Sequence, residues 1–141
     1  MSKVLVSHIG IAVKDLDAAV ATYSLLTGND SPILEEVPEQ KVKVAMLADR
    51  SDPEGKDGGR VELLTPTGED SPIAGFLNKR GEGLHHLCIY VDDIEKKLAE
   101  LKAAGVRLIN ETPRVGAGGH RIAFVHPAGT GGVLLELEER S

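Results

Sequence analysis

Apolar residues alternate with polar or small ones from Val4 to Val13, a period of two that predicts a strand over 4–13. Beyond Asp15 the period lengthens. Leu16, Ala19, Val20 and Tyr23 share one helical face, so the pattern predicts a helix capped by Asp15 and stopped by Gly28. Strand-like runs follow near 32–37, 41–49 and 60–65. The same order then returns. A strand is expected at 84–91 and a helix at about 93–104, with Ile94, Leu98 and Leu101 on one face and Gly105 as its stop. Strands near 106–110, 120–126 and 132–138 complete the second half. Each half thus reads β-α-β-β-β, an α+β pattern. Between the halves, Ser71-Pro72 opens a linking helix with Ile73, Phe76 and Leu77 facing inward. The glycine-rich stretch 52–59 reads as one exposed loop.

The repetition extends to individual residues. Val6-Ser7-His8-Ile9-Gly10-Ile11-Ala12-Val13 returns as Leu84-His85-His86-Leu87-Cys88-Ile89-Tyr90-Val91. Gly59-Arg60-Val61-Glu62-Leu63 matches Gly132-Val133-Leu134-Leu135-Glu136-Leu137, with one residue of slack after the glycine. Each half begins on a strand carrying a histidine and ends on a strand carrying a glutamate. Strand parity places His8 with Val6, Gly10 and Ala12, and leaves Ile9, Ile11 and Val13 on the other face. His86 shares a face with Cys88 and Tyr90. Glu62 is opposed by Val61 and Leu63, and Glu136 by Leu135 and Leu137. The apolar faces can pack under the helices, and the His and Glu faces are left for a cavity.

Two imidazoles and two carboxylates form a mixed nitrogen and oxygen shell for a divalent ion such as Co, Mn, Ni, Zn or Mg. His8, Glu62, His86 and Glu136 are therefore the expected metal ligands. On an octahedral ion they would leave two positions for water or for substrate oxygens. An ion used in this way is a Lewis acid that stabilises an oxyanion on a carbonyl.

Size and charge narrow the partners. The 141 residues suffice for one domain with a real core, built mostly from Val, Leu, Ile and Ala because aromatics are 3% and Trp is absent. A net charge of −6 argues against nucleic acid or an anionic membrane as a partner. No apolar run has the length of a signal peptide or a membrane span. The single cysteine permits no internal disulfide, which suits a cytoplasmic location.

The segments His8–Val13, Pro38-Glu39-Gln40, Val61–Pro66, Asp70–Leu77, Gly83–His86, Gly116–Arg121, His126-Pro127 and Gly131–Leu137 carry a resemblance along essentially the whole chain. They resemble the vicinal oxygen chelate (glyoxalase) superfamily and, within it, the methylmalonyl-CoA epimerase family. The resemblance implies a single domain over 1–141, with modules at about 1–67 and 83–139 joined by a helix at about 70–80. It also implies that the modules form a curved sheet around the metal cavity. The implied activity is a metal-dependent 1,1-proton transfer interconverting the 2R and 2S forms of methylmalonyl-CoA through an enolate. A homodimer acting on a small acyl-CoA substrate is implied by the same analogy.

By this resemblance Glu136 is both ligand and catalytic acid/base. Some family members place a second glutamate acid/base where this chain has Val44, which reads instead as part of an apolar wall with Val42 and Met46. The second proton carrier is then open between a water, Gln40 as an orienter and His120. Gln40, Val44, Gly118, Gly119 and His120 are the expected substrate contacts. Gly116–Arg121 reads either as a cradle of backbone N–H groups for an anion or as a flexible turn. His85 and His126 read as structural, Cys88 as a core filler and Glu138-Glu139 as an exposed acidic end. Two other activities belong to the same superfamily: glyoxalase I (lactoylglutathione lyase) chemistry and metal-free ligand sequestration.

Overall fold

Strand β1 (Val6–Ala12) gives way to helix α1 (Leu16–Thr27) at Asp15, whose carboxylate accepts the amide of Ala18 at 3.1 Å. Gly28, at φ 77°, ends the helix, and its N–H reaches the Ser24 carbonyl at 2.9 Å. Only a residue without a Cβ takes that left-handed turn at no steric cost. The structure, a computed structural model, describes residues 4–48, 51–52 and 59–140. The expected loop at 52–59 lies largely outside the described residues, as does the end of the 41–49 run. The described residues divide into two units. The first is His8–His85, and the second joins residues 4–7 to residues 86–140.

In the first unit, β2 (Ile33–Val37), β3 (Val42–Leu47) and β4 (Arg60–Pro66) join β1 in the order β2-β3-β4-β1. The β1–β4 pair is parallel and the others are antiparallel. Val13, Leu16, Ala45 and Leu63 form the buried core under α1, with Ile11, Ala19, Val20, Tyr23 and Val61 packed against them. This is the apolar strand face and the helical stripe that the periodicities specify. Ile9 departs from its strand-mates: at 39% exposure it is not covered as Ile11 and Val13 are. Helix α2 (Pro72–Arg80) starts at Ser71, whose hydroxyl accepts the Ile73 amide at 3.2 Å. Ile73 and Leu77 are buried there, and Phe76 stacks edge-on against His85 with centroids 5.0 Å apart.

The second unit repeats the plan with β5 (Gly83–Val91, from His86 onward), helix α3 (Ile94–Ala103), β6 (Arg114–Val115), β7 (Arg121–Val125) and β8 (Leu135–Glu139). Their order is β5-β8-β7-β6, with β5–β8 parallel and the rest antiparallel. Its core is Ile94, Leu98, Ala123, Val125 and Leu137. The fold class is therefore α+β, with two halves of one topology.

The expected strand at 106–110 does not form. Leu108 makes a single isolated bridge to Val125. The amides of Ile109 and Asn110 both turn to the Phe124 carbonyl, at 2.9 and 3.2 Å. Asn110 Oδ1 takes the Phe124 amide at 2.8 Å. A side chain takes one place in the pairing and two amides share one carbonyl, so the ladder does not propagate, and Arg114–Val115 supplies the edge strand.

Candidate functional site

In the first unit the parallel register sets Gly10 opposite Glu62 and His8 opposite Arg60. On the other side of β4, Met46 pairs with Glu62 and Val44 with Leu64. Paired residues share a sheet face, so His8, Gly10, Arg60, Glu62, Val44 and Met46 all lie away from α1. His8 and Glu62 are each 3% exposed, and His8 Nδ1 lies 3.2 Å from Glu62 Oε2. Two carboxylate and imidazole groups this deep need partners, because desolvating a charge is costly otherwise.

The second unit builds the same arrangement. Cys88 stands opposite Glu136 on β5–β8, and Phe124 pairs with Glu136 on β7–β8. In both copies the residue two after the histidine faces the glutamate. His86 Nε2 lies 3.0 Å from Glu136 Oε1, and both residues are under 10% exposed. Phe124 closes one side of the imidazole edge-on, with centroids 6.0 Å apart. Glu136 is thus a buried carboxylate oriented by a histidine, a fit arrangement for moving a proton.

Each pair suits a divalent ion by its chemistry. Neighbouring ligands at about 2.1 Å from an octahedral ion lie about 3.0 Å apart, close to both observed separations. The first pair carries a further group. Arg60, 5% exposed, sets Nη2 at 3.0 Å from Glu62 Oε2 and 3.2 Å from His8 Nδ1, with Nε at 3.2 Å from Glu62 Oε2.

The remaining expected contacts are placed unevenly. Val44 is buried at 2% on the Glu62 face, between Leu64 on one side and Glu35 of β2 on the other. Gln40 sits partly buried in the β2–β3 turn, its amide bonded to the Val37 carbonyl at 3.1 Å. Among the described hydrogen bonds none joins it to His8 or Glu62. Gly118 and Gly119, at φ 72° and 76°, form a tight turn before β7. The turn closes on itself, with Gly116 N–H to the His120 carbonyl at 2.9 Å and Gly119 N–H to the Gly116 carbonyl at 3.1 Å. Those two amides are occupied, and the segment is ordered by its own bonds. His120 Nε2 lies 3.8 Å from Glu138 Oε2.

Glu138 is not part of an exposed end. It is 2% exposed, and Ser7 Oγ donates to its Oε1 at 2.7 Å while Cys88 Sγ stands at 3.7 Å. The period of two explains the error: Glu138 follows Glu136 on the same buried face of β8. Glu139, on the other face, accepts the Ile94 amide at 3.0 Å and pairs with Arg121. His126 caps a short turn, its Nδ1 accepting the Ala128 amide at 3.0 Å. Sequence reasoning missed Arg60 and Glu138, although each lies two residues from an expected ligand and shares its parity.

Residues 7–124 match the Glyoxalase/Bleomycin resistance protein/Dioxygenase superfamily. The human mitochondrial methylmalonyl-CoA epimerase is 40% identical over 94% of this chain and 72% of its own length. The ethylmalonyl-CoA/methylmalonyl-CoA epimerase of Cereibacter sphaeroides is 38% identical over 94% of this chain and 96% of its own. Among solved structures, the methylmalonyl-CoA epimerase of Mycobacterium tuberculosis superposes with a TM-score of 0.85 at 37% identity, covering 100% of this chain and 93% of that one. A methylmalonyl-CoA epimerase solved with methylmalonyl-CoA and NH4+ gives a TM-score of 0.87 at 40% identity, covering 99% and 96%.

Proposed function

This chain belongs to the methylmalonyl-CoA epimerase family of the Glyoxalase/Bleomycin resistance protein/Dioxygenase superfamily, and from that membership we propose that it interconverts the 2R and 2S forms of methylmalonyl-CoA. The observation that carries the proposal is the duplicated, buried pairing of His8 with Glu62 and of His86 with Glu136. The two pairs together would hold one divalent ion. Such an ion supplies Lewis acidity toward a thioester carbonyl oxygen, lowering the cost of negative charge there.

The chain's own residues do the rest. Glu136 takes the α-proton in one direction of the reaction and delivers a proton in the other, with His86 fixing its carboxylate through the 3.0 Å contact. Burial of both groups keeps their contact out of bulk water. Val44 presents an apolar wall to the methyl branch of the substrate. Inversion also requires a proton on the opposite face, which we assign to a pocket water or to His120. Gln40, Gly118 and Gly119 contribute to holding the acyl-CoA. The active species in solution is proposed to be a cytoplasmic homodimer. No helix among the described residues is long and apolar enough to cross a membrane.

The deciding experiment incubates the protein with methylmalonyl-CoA in heavy water. Deuterium at the α-carbon together with interconversion of the two stereoisomers is the expected result. An inert thioester with the protein in stoichiometric amount would refute the assignment.

A further inference from the structure

The two copies differ at the position two residues before the glutamate. The second copy has Leu134 there and the first has Arg60. The guanidinium of Arg60 spends its donors on Glu62 Oε2 and His8 Nδ1, at 3.0 and 3.2 Å. A guanidinium donates and never accepts, so in the tautomer that takes this bond Nδ1 faces Arg60 with its lone pair, the electrons an ion at that nitrogen would need. The carboxylate oxygen facing the imidazole is the same one that Arg60 holds. Arg60 cannot shed its charge by deprotonation. It therefore stands on both donor atoms of the first pair as a permanent cation.

A divalent ion placed on the same two atoms would meet a like charge at contact distance, in a site that water does not screen. We propose that Arg60 is the resident cation of the His8–Glu62 pair, that it competes with the divalent ion, and that it leaves both atoms when the ion enters. This rests on the metal-site reading given above. Arg60 neutralises Glu62 and holds the pair at its observed spacing, which makes it a positioning residue. The cost is a weakened apparent affinity, by the fraction of time the pair is free.

The test strips the full-length protein with a chelator and titrates Mn2+ calorimetrically into the parent and into Arg60→Met, which removes the charge at similar length. The variant is expected to bind roughly tenfold more tightly, with a lower melting temperature before ion addition and a larger upward shift after it. The parent gives a second readout that no folding defect can spoil. Titration with diamagnetic Mg2+ or Zn2+ should displace the 15N signal of the Arg60 Nε–H, now bonded to Glu62. Equal or weaker binding by a folded Arg60→Met, with that signal unmoved in the ion-saturated parent, overturns the proposal alone. Absence of ion binding by both proteins overturns it together with the metal-site reading.

Discussion

Cys88 stands opposite Glu136 in the β5–β8 ladder, the position that Gly10 takes opposite Glu62 in β1–β4. Two parallel ladders with the same offset place two carboxylates at equivalent lattice points. A coincidence of residue types would not reproduce the register as well. The difference between the copies lies in bulk: Gly10 sets no side chain across the ladder from Glu62, whereas the buried thiol of Cys88 stands across from Glu136.

If the two pairs hold one ion, its binding should be visible as stability. At a hundredfold excess over its dissociation constant, a ligand of the native state contributes about 2.7 kcal/mol. For a chain of this length that corresponds to roughly 5–10 °C in melting temperature. Chelator-treated protein scanned with and without Mn2+ or Co2+ should show the shift, and His86→Ala should lose it. A His86→Ala protein that retains the full shift would place the ion elsewhere.

Glu136→Gln keeps an oxygen and the shape of the side chain but removes the group that takes a proton. Deuterium incorporation at the α-carbon should fall by roughly 10²–10⁴-fold. Substrate binding, followed by calorimetry, should survive. Undiminished exchange would remove Glu136 from the chemistry.

Val44 is expected to set the space for the branch on the α-carbon. Val44→Ala should raise the preference for ethylmalonyl-CoA over methylmalonyl-CoA roughly tenfold in kcat/KM, the lower range for one methylene in an apolar pocket. The proton-exchange rate on bound methylmalonyl-CoA should change less. A uniform fall for both thioesters would mean that Val44 is not part of the wall.

Ser7 donates to a carboxylate with almost no contact with water. Ser7→Ala removes that donor and should destabilise the protein by about 1–3 kcal/mol. Urea unfolding followed by circular dichroism reads the cost as a lower midpoint at constant slope. An unchanged midpoint would show that the remaining neighbours of Glu138 satisfy it without the hydroxyl.

Much of this arrangement is written in periodicity. The helices at Leu16–Thr27 and Ile94–Ala103, the cap at Asp15, and the pairing of each histidine with a glutamate all follow from spacing and repetition. What escaped was of two kinds. The segment 106–110 has strand-like residues, but Asn110 offers its side chain to the Phe124 amide, a tertiary choice that propensity cannot encode. Glu138 looked solvent-exposed because charged residues usually are, and no feature of the pattern marked Arg60 for burial. Their burial depends on partners distant in sequence, Ser7 for Glu138 and His8 for Arg60.

The pleat has a consequence for how this chain tolerates length changes. A residue inserted between Gly131 and Gly132, in the bend ahead of β8, can be absorbed where the backbone already curls at positive φ. The same insertion between Leu135 and Glu136 would rotate the carboxylate through to the side lined by Ile94 and Leu98, leave the inserted residue beside the imidazole, and bring Leu137 to the place of Glu138. Which face of the sheet carries the Glu136 carboxylate is thus staked on odd and even counting along a five-residue strand.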